Sequence, residues 1–200
     1  RSLAKTVRNF QSRDIILTDR YLSKTPFHPV YWVRKRIDDA IASHANLANG
    51  ILLDVGCGAK PYAKLFAPYV ERYIGLEYSP ESGYRENLAD FCGDAAALPL
   101  ADESIDTILC TEVMEHVPNP EKTIADFARA LRPGGILITT APFVYPIHDA
   151  HDYFRYSRDG LSVIMKRYGL EIEKVEALSG TAVTLAIMTN LYWYDIGFIW

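Results

Sequence analysis

Apolar residues along this chain recur with two periods. Over residues 30–44, Val30, Val33, Ile37, Ala40, Ile41 and His44 fall on one helical face, with Arg34, Lys35, Asp38 and Asp39 largely elsewhere, which predicts an amphipathic helix laid on a core. Ile51, Leu52, Leu53 and Val55 then make an almost unbroken apolar run ending at Gly56, the pattern of a strand buried on both faces, as parallel sheets supply. Further strands are expected at residues 72–77, 90–94, 104–111, 135–141 and 170–177. The clearest helix between them follows Asn119 and Pro120, a cap and a first-turn proline; Ile124, Phe127, Ala128 and Leu131 form its core stripe before Pro133, Gly134 and Gly135 stop it. Another begins near Ser157, with Leu161, Ile164, Met165 and Tyr168 at helical spacing and Gly169 as terminator. Strands alternating with helices predict an α/β fold, a doubly wound and mainly parallel sheet with helices on both faces, whose ligands bind beyond the carboxyl ends of the strands.

Composition holds this to a single domain. Two hundred residues, 49% apolar and 23% charged, suffice for one core and fall short of two full domains. The expected divisions are an N-terminal basic arm and helix over residues 1–48, the α/β domain over 49–179 and an apolar segment over 180–200. Charge is uneven: residues 1–36 hold nine Lys and Arg against Asp14 and Asp19, a net of +7 that leaves −11 on the remainder of a chain totalling −4. Such an arm suits an anionic substrate, a membrane surface or nucleic acid, but the acidic body would repel phosphates, which disfavours a nucleic-acid partner, and a simply solvated arm is the favoured reading. From residue 180 to 200 only Asp195 is charged, leaving open a buried helix, a subunit contact or a peripheral membrane contact. Burial is favoured, because Asn190 and Asp195 interrupt the run and strongly basic flanks are missing. Cys57, Cys92 and Cys110 are odd in number and lack metal-type spacing, so reduced thiols and a cytoplasmic setting are expected.

Candidate chemistry gathers where strands end. Asp54, Val55, Gly56, Cys57 and Gly58 join the first strand to a helix expected near Pro61. Glycines at 56 and 58 let the backbone turn tightly and approach a ligand without a Cβ in the way, and helix N-terminal amides offer partial positive charge to a carboxylate. Glu77 closes the second strand 21 residues after Gly56, where a carboxylate can accept both hydroxyls of a ribose. A nicotinamide dinucleotide would use the same two features. However, tight helix–strand packing around its pyrophosphate wants Gly or Ala at position 61, where this chain has Pro61, so no pyrophosphate is expected.

From residue 51 to 141, the segments LLDVGCG, YIGLEYS, GDAAALPLADESIDTILCTEVMEHVPNP and LRPGGILITTAP follow in an order and spacing that resembles the class I S-adenosylmethionine-dependent methyltransferases, in particular the type 11-like group with a short Asp-x-Gly-x-Gly loop. The resemblance implies a Rossmann-like fold and S-adenosylmethionine as cofactor. It implies that Asp54 and the backbone of Gly56, Cys57 and Gly58 hold the methionine portion, Glu77 the ribose, and that Tyr78 flanks the adenine. Asp94 would accept from the adenine amino group with the Ala95 amide nearby, and Thr111 and Glu112 would lie beside the methionine amine. Asp94 after Gly93 equally fits an ordinary turn residue.

Residues 142–157 carry two His, two Asp, three Tyr and one Arg in a loop expected to open onto the strand ends, the composition of a polar acceptor pocket with aromatic walls. Within it, HDYFRYS resembles a segment found in a subset of the same family, where it approaches the acceptor. His151 and His148 are the candidate general bases and Asp152 their orienting partner, with His116, Tyr153, Arg155 and Tyr156 as candidate substrate contacts. The bland alternative has Arg155 pairing with Asp152 or Asp149 and the tyrosines filling the core edge. The spacing of His148, His151 and Asp152 matches no metal signature, and no metal is expected. The expected activity is methyl transfer to an oxygen or nitrogen of a small molecule, lipid or glycan. A non-catalytic S-adenosylmethionine-binding protein and, on the strength of the basic arm, an RNA methyltransferase are the alternatives.

Overall fold

Strand β1 (Ile51–Val55) lies at the centre of the sheet, as its apolar run requires: Leu52, Leu53 and Val55 are at most 1% exposed. Parallel partners flank it on both sides, β2 (Arg72–Glu77) and β4 (Ile105–Thr111). The computed structural model describes residues 29–78, 88–149 and 151–195; most of the basic arm therefore lies outside the described residues. The short β3 (Phe91–Cys92) pairs with β2 and the long β5 (Leu131–Thr140) with β4, giving a five-stranded parallel sheet in the order β3-β2-β1-β4-β5. The chain steps outward from β1 through β2 to β3, then crosses back to β4 and β5 on the other side. The loops after β1 and β4 thus diverge, opening the crevice where doubly wound sheets bind ligands.

The period of two in the strands sets the core. Leu53 and Val55 of β1 and Ile108 and Cys110 of β4 share one apolar cluster with Ile124 and Phe127 of α3 (Pro120–Ala130) and Met165 of α4 (Arg158–Arg167), helix labels counting α1 (Pro29–His44) and α2 (Ala63–Phe66) before them. Leu52 and Leu109 alternate onto the opposite face and are also fully buried. Both expected caps form: Asn119 accepts from the Lys122 amide at 3.1 Å, and the Ser157 hydroxyl accepts from the Gly160 amide at 3.1 Å.

Several expectations shift. β5 begins at Leu131, which leaves the predicted helix to pair with Ile105, and the irregular register between there and Thr107 absorbs Pro133, Gly134 and Gly135. The strand expected at 90–94 contracts to Phe91–Cys92, and the helix expected near Pro61 begins at Ala63. Residues 170–177 form no strand: Leu170 and Ile172 are half-buried while 173–177 are exposed, and the described sheet ends at β5. The segment from 180 is helical as α5 (Thr181–Asp195), but none of residues 181–193 is fully buried, and Leu185 and Tyr192 are 62% and 60% exposed, contrary to the expected burial. Its apolar residues are spread around the helix, so one packing face cannot cover them. No helix among the described residues is long and apolar enough to cross a membrane.

Residues 37–178 form one compact unit; among the described residues, 29–36 group with 179–195 in a second. Within the second, Trp32, Arg36, Val183, Ala186, Ile187 and Asn190 line a cavity of about 350 Å³.

Candidate active site

The turn leaving β1 is fastened to the end of β2. The Gly56 and Cys57 amides both donate to the Leu76 carbonyl, at 2.9 and 3.1 Å. Gly56 has a φ of +71°, and a Cβ there would meet Val113 Cγ2 at 2.4 Å, so the site needs glycine both for its backbone and for the close approach of the β4 loop. Glu77, 8% exposed, accepts the Gly58 amide on Oε2 and its neighbour Tyr78's amide on Oε1, each at 3.0 Å. Two lone-pair positions remain for a ligand hydroxyl pair.

Asp54, at the heart of β1, is 1% exposed; Tyr73 donates its hydroxyl to Oδ2, and Oδ1 has no partner. Burial pushes its carboxyl up to about 7 against the opposing Tyr73 hydrogen bond, and nearby Glu77 adds to the rise. Burial likewise pushes the Cys57 thiol up to about 12, so it stays protonated and contributes through its backbone. Tyr73, which the sequence reading passed over, is thus the hydroxyl that holds Asp54.

On the far side of β2, the Gly93 amide donates to the Glu77 carbonyl at 2.9 Å, which brings Asp94 and buried Ala95 beside the cradle. Asp94 itself is exposed and accepts the Ala96 amide on Oδ1 at 2.8 Å, so it does serve as a turn residue. Tyr78 is 74% exposed. At the end of β4, Thr111 pairs with Thr140 of β5. Glu112 follows in the left-handed region at φ +52°, its amide shared between the Thr140 carbonyl and hydroxyl at 3.2 Å. Burial raises its carboxyl above the usual range.

A single 3₁₀ turn, Met114–His116, leads away, and the segment carrying Tyr153 and Tyr156 returns over it. The Tyr153 amide donates to the Glu115 carbonyl at 2.8 Å and the buried Tyr156 hydroxyl to the Met114 carbonyl at 2.9 Å. Tyr156 therefore forms the wall that fixes this turn. Arg155 forks onto both oxygens of Asp152, whose side chain is fully buried, and donates also to the Tyr145 and Pro146 carbonyls. That guanidinium holds the Asp152 carboxyl well below the usual carboxylate range, and Asp152 in turn engages the backbone amide and Nδ1 of His148, each at 3.1 Å. The pairing is with Asp152, one of the two partners weighed from sequence. His116 Nδ1 lies 2.6 Å from the His151 carbonyl, its ring 5.2 Å from that of His148, while His151 Nδ1 lies 3.3 Å from the Tyr153 hydroxyl.

Glu115, absent from the sequence-based candidates, is fully buried with both carboxylate oxygens unpartnered, and burial beside Glu112 pushes it up to about 7. The adjacent Glu115 and His116 just past a strand end were the available signal. Burial, which pattern alone does not reveal there, is what singles Glu115 out.

Comparison with known proteins fits this geometry. A methyltransferase domain family model matches residues 53–139, from β1 to β5. An uncharacterized methyltransferase of Mycobacterium ulcerans is 38% identical over 100 residues, 46% of this chain and 39% of its own, and one of Mycobacterium avium is 31% identical over 161 residues, 70% and 64%. The chain thus spans less than two thirds of the length of these relatives. In structure, an S-adenosylmethionine-dependent methyltransferase from Mesorhizobium loti superposes with a TM-score of 0.57 at 15% identity over 78% of this chain and 91% of that one. The cyclase SpnF superposes with a TM-score of 0.59 at 22% identity over 81% and 67%. Sequence match and parallel sheet agree: residues 53–139 match a methyltransferase domain, on a fold shared with the S-adenosylmethionine-dependent methyltransferase from Mesorhizobium loti.

Proposed function

We propose that this chain transfers the methyl group of S-adenosylmethionine to an oxygen or nitrogen acceptor held under the loop of residues 142–157, the acceptor being a small molecule, lipid or glycan. The observation that carries this reading is the buried cradle at the sheet's switch point: the Gly56 turn, Glu77 with acceptor capacity to spare, and Asp54 with an orphaned oxygen. The cofactor's ribose hydroxyls answer Glu77, and its ammonium and sulfonium charges suit a cleft ringed by Asp54, Glu77 and Glu112. Asp54 and the backbone of Gly56, Cys57 and Gly58 would hold the methionine end, Thr111 and Glu112 its amine, and Asp94, Ala95 and Tyr78 the adenine. When bound, the cofactor supplies an electrophilic methyl group on a good leaving group, so the chain's work is alignment and exclusion of water.

Among the loop residues, Asp152 is a positioning group: its carboxylate is tied to Arg155 and held too acidic to take a proton. His151 is the base for a hydroxyl acceptor, with Nδ1 beside the Tyr153 hydroxyl and Nε2 left to face a proton donor. An amine or thiolate acceptor would need no base. Tyr153 and Arg155 shape the pocket, Arg155 through Asp152.

Calorimetric titration with S-adenosylmethionine and S-adenosylhomocysteine, with NAD as control, tests the reading. Micromolar, saturable binding of the first two alone is expected; a folded chain that binds neither overturns it. A second reading, a protein that keeps the pocket without methyl transfer, draws on SpnF, a cyclase of the same fold. Release of S-adenosylhomocysteine that depends on an added acceptor separates the two. Salt-sensitive RNA binding would instead favour an RNA acceptor.

A further inference from the structure

The two imidazoles at the mouth of the acceptor loop and the orphaned carboxylate beneath them are arranged as ligands. One donor atom from each of Glu115, His116 and His148 lies within 4.8 Å of the others, and His116 Nε2 is 3.6 Å from Glu115 Oε1. Glu115 is fully buried and neither of its oxygens has a hydrogen-bond partner, so the fold carries most of the desolvation of a carboxylate with only His116 nearby to offset it. Both rings are meanwhile engaged through Nδ1. His116 places Nδ1 against the His151 carbonyl at 2.6 Å, and His148 places Nδ1 against the Asp152 carboxylate at 3.1 Å. An Nδ1–H held by a carbonyl or carboxylate fixes the tautomer in which Nε2 offers its lone pair, the support that metal-bound histidines characteristically receive. Asp152 is itself fixed by Arg155, so the His148 ring is anchored through two successive links.

We propose that Glu115, His116 and His148 form a divalent-cation site beside the acceptor loop. Two imidazole nitrogens and one carboxylate oxygen suit zinc or manganese better than magnesium or calcium, which prefer all-oxygen shells. Donors around an ion at about 2.1 Å stand about 3.3 Å apart, so the set closes by at most about 1.5 Å on binding. The His148 side chain, 37% exposed, has room to make that movement. Glu112, whose charge is felt by both rings, adds a second negative group at the rim. Three protein ligands leave coordination positions open to an acceptor's oxygen. That role rests on the methyl-transfer reading, whereas binding of the ion does not. The site departs from the sequence-based expectation of no metal because its buried member, Glu115, was not among the candidates.

The test is calorimetric titration of the metal-stripped full chain with Zn²⁺, Mn²⁺ and Mg²⁺, each alone, alongside His148→Ala, the His116→Ala/His148→Ala double variant and Glu115→Gln, with thermal melts confirming that each is folded. One equivalent of Zn²⁺ or Mn²⁺ should bind the parent chain, at least tenfold more weakly to His148→Ala and without saturation to the double variant. Equal binding by parent and double variant, or no binding by the parent, overturns the site. S-adenosylhomocysteine is titrated into the same samples. Cation binding without cofactor binding would sink the methyl-transfer reading and leave the metal site standing; the converse would sink the metal site alone.

Discussion

Glu77 and Glu115 are both buried carboxylates, the first closing β2 and the second just beyond β4, and they are held in opposite ways. Glu77 accepts the Gly58 and Tyr78 amides, groups supplied by the adjacent turn and its own neighbour. Glu115 accepts nothing, and its surroundings are brought by a loop that returns from residues 148–156. The cofactor side is therefore finished by local backbone and stands preformed. The acceptor side is assembled from distant side chains around a group left without a partner. One half of the cleft is held by backbone hydrogen bonds, and the other contains a buried carboxylate without a hydrogen-bond partner.

That contrast predicts separable failures. The largest effect is expected from His151→Ala, which should lower turnover on a hydroxyl acceptor by about 10²-fold or more while leaving S-adenosylhomocysteine affinity unchanged in calorimetry; a parallel loss of cofactor affinity would break the division. Next, Arg155→Ala strands the buried Asp152 carboxylate and should cost about 3 kcal/mol in denaturant unfolding, the acceptor loop loosening first in hydrogen exchange. A cost near zero would mean the loop is held by its backbone, like the turn after β1. Glu77→Ala should weaken S-adenosylhomocysteine binding by about 1.5 to 3 kcal/mol, and an unchanged affinity would place the ribose elsewhere.

The smallest effect is on pH. Asp54 and Glu115 are both pushed up to about 7, so between the ordinary carboxylate range and neutrality the folded chain keeps protons that the unfolded chain has released. The stability they contribute is complete below that range and is lost as pH rises through about 7. The ligand-free melting temperature should fall between about pH 5 and pH 8, and Asp54→Asn should flatten the fall. Asp90, Asp106, Asp126 and Asp152, all shifted downward, act in the opposite sense only at lower pH, while Glu112, raised by burial, acts in the same sense as Asp54 and Glu115.

The same division explains what was legible in sequence. The bounds of β2, the caps at Asn119 and Ser157 and the turn at Gly56 are local facts, written in apolar runs and in residues with special backbone demands, and they appear where expected. Residues 170–177 have equally strand-like alternation and form none, because pairing depends on a neighbouring edge that no pattern within the segment encodes. The loop of His148, His151 and Asp152 is legible only in part: Asp152 meets His148, as an orienting partner would, but it is also held by Arg155, and the ring beside His148 is that of His116. Tyr73 and Glu115 went unnoticed because their significance lies in what they touch, or lack, across the sheet.

Glu112 sits at φ +52°, a backbone setting that costs a residue with a side chain about 1 kcal/mol. Glycine would relieve it, so a protein optimised for endurance alone would place glycine there and surrender the carboxylate at the hinge between cofactor and acceptor. Glu112→Gly should accordingly melt at or above the parent temperature while turning over more slowly. If Glu112 holds the cofactor's amine as proposed, the position is a trade-off between chemistry and robustness.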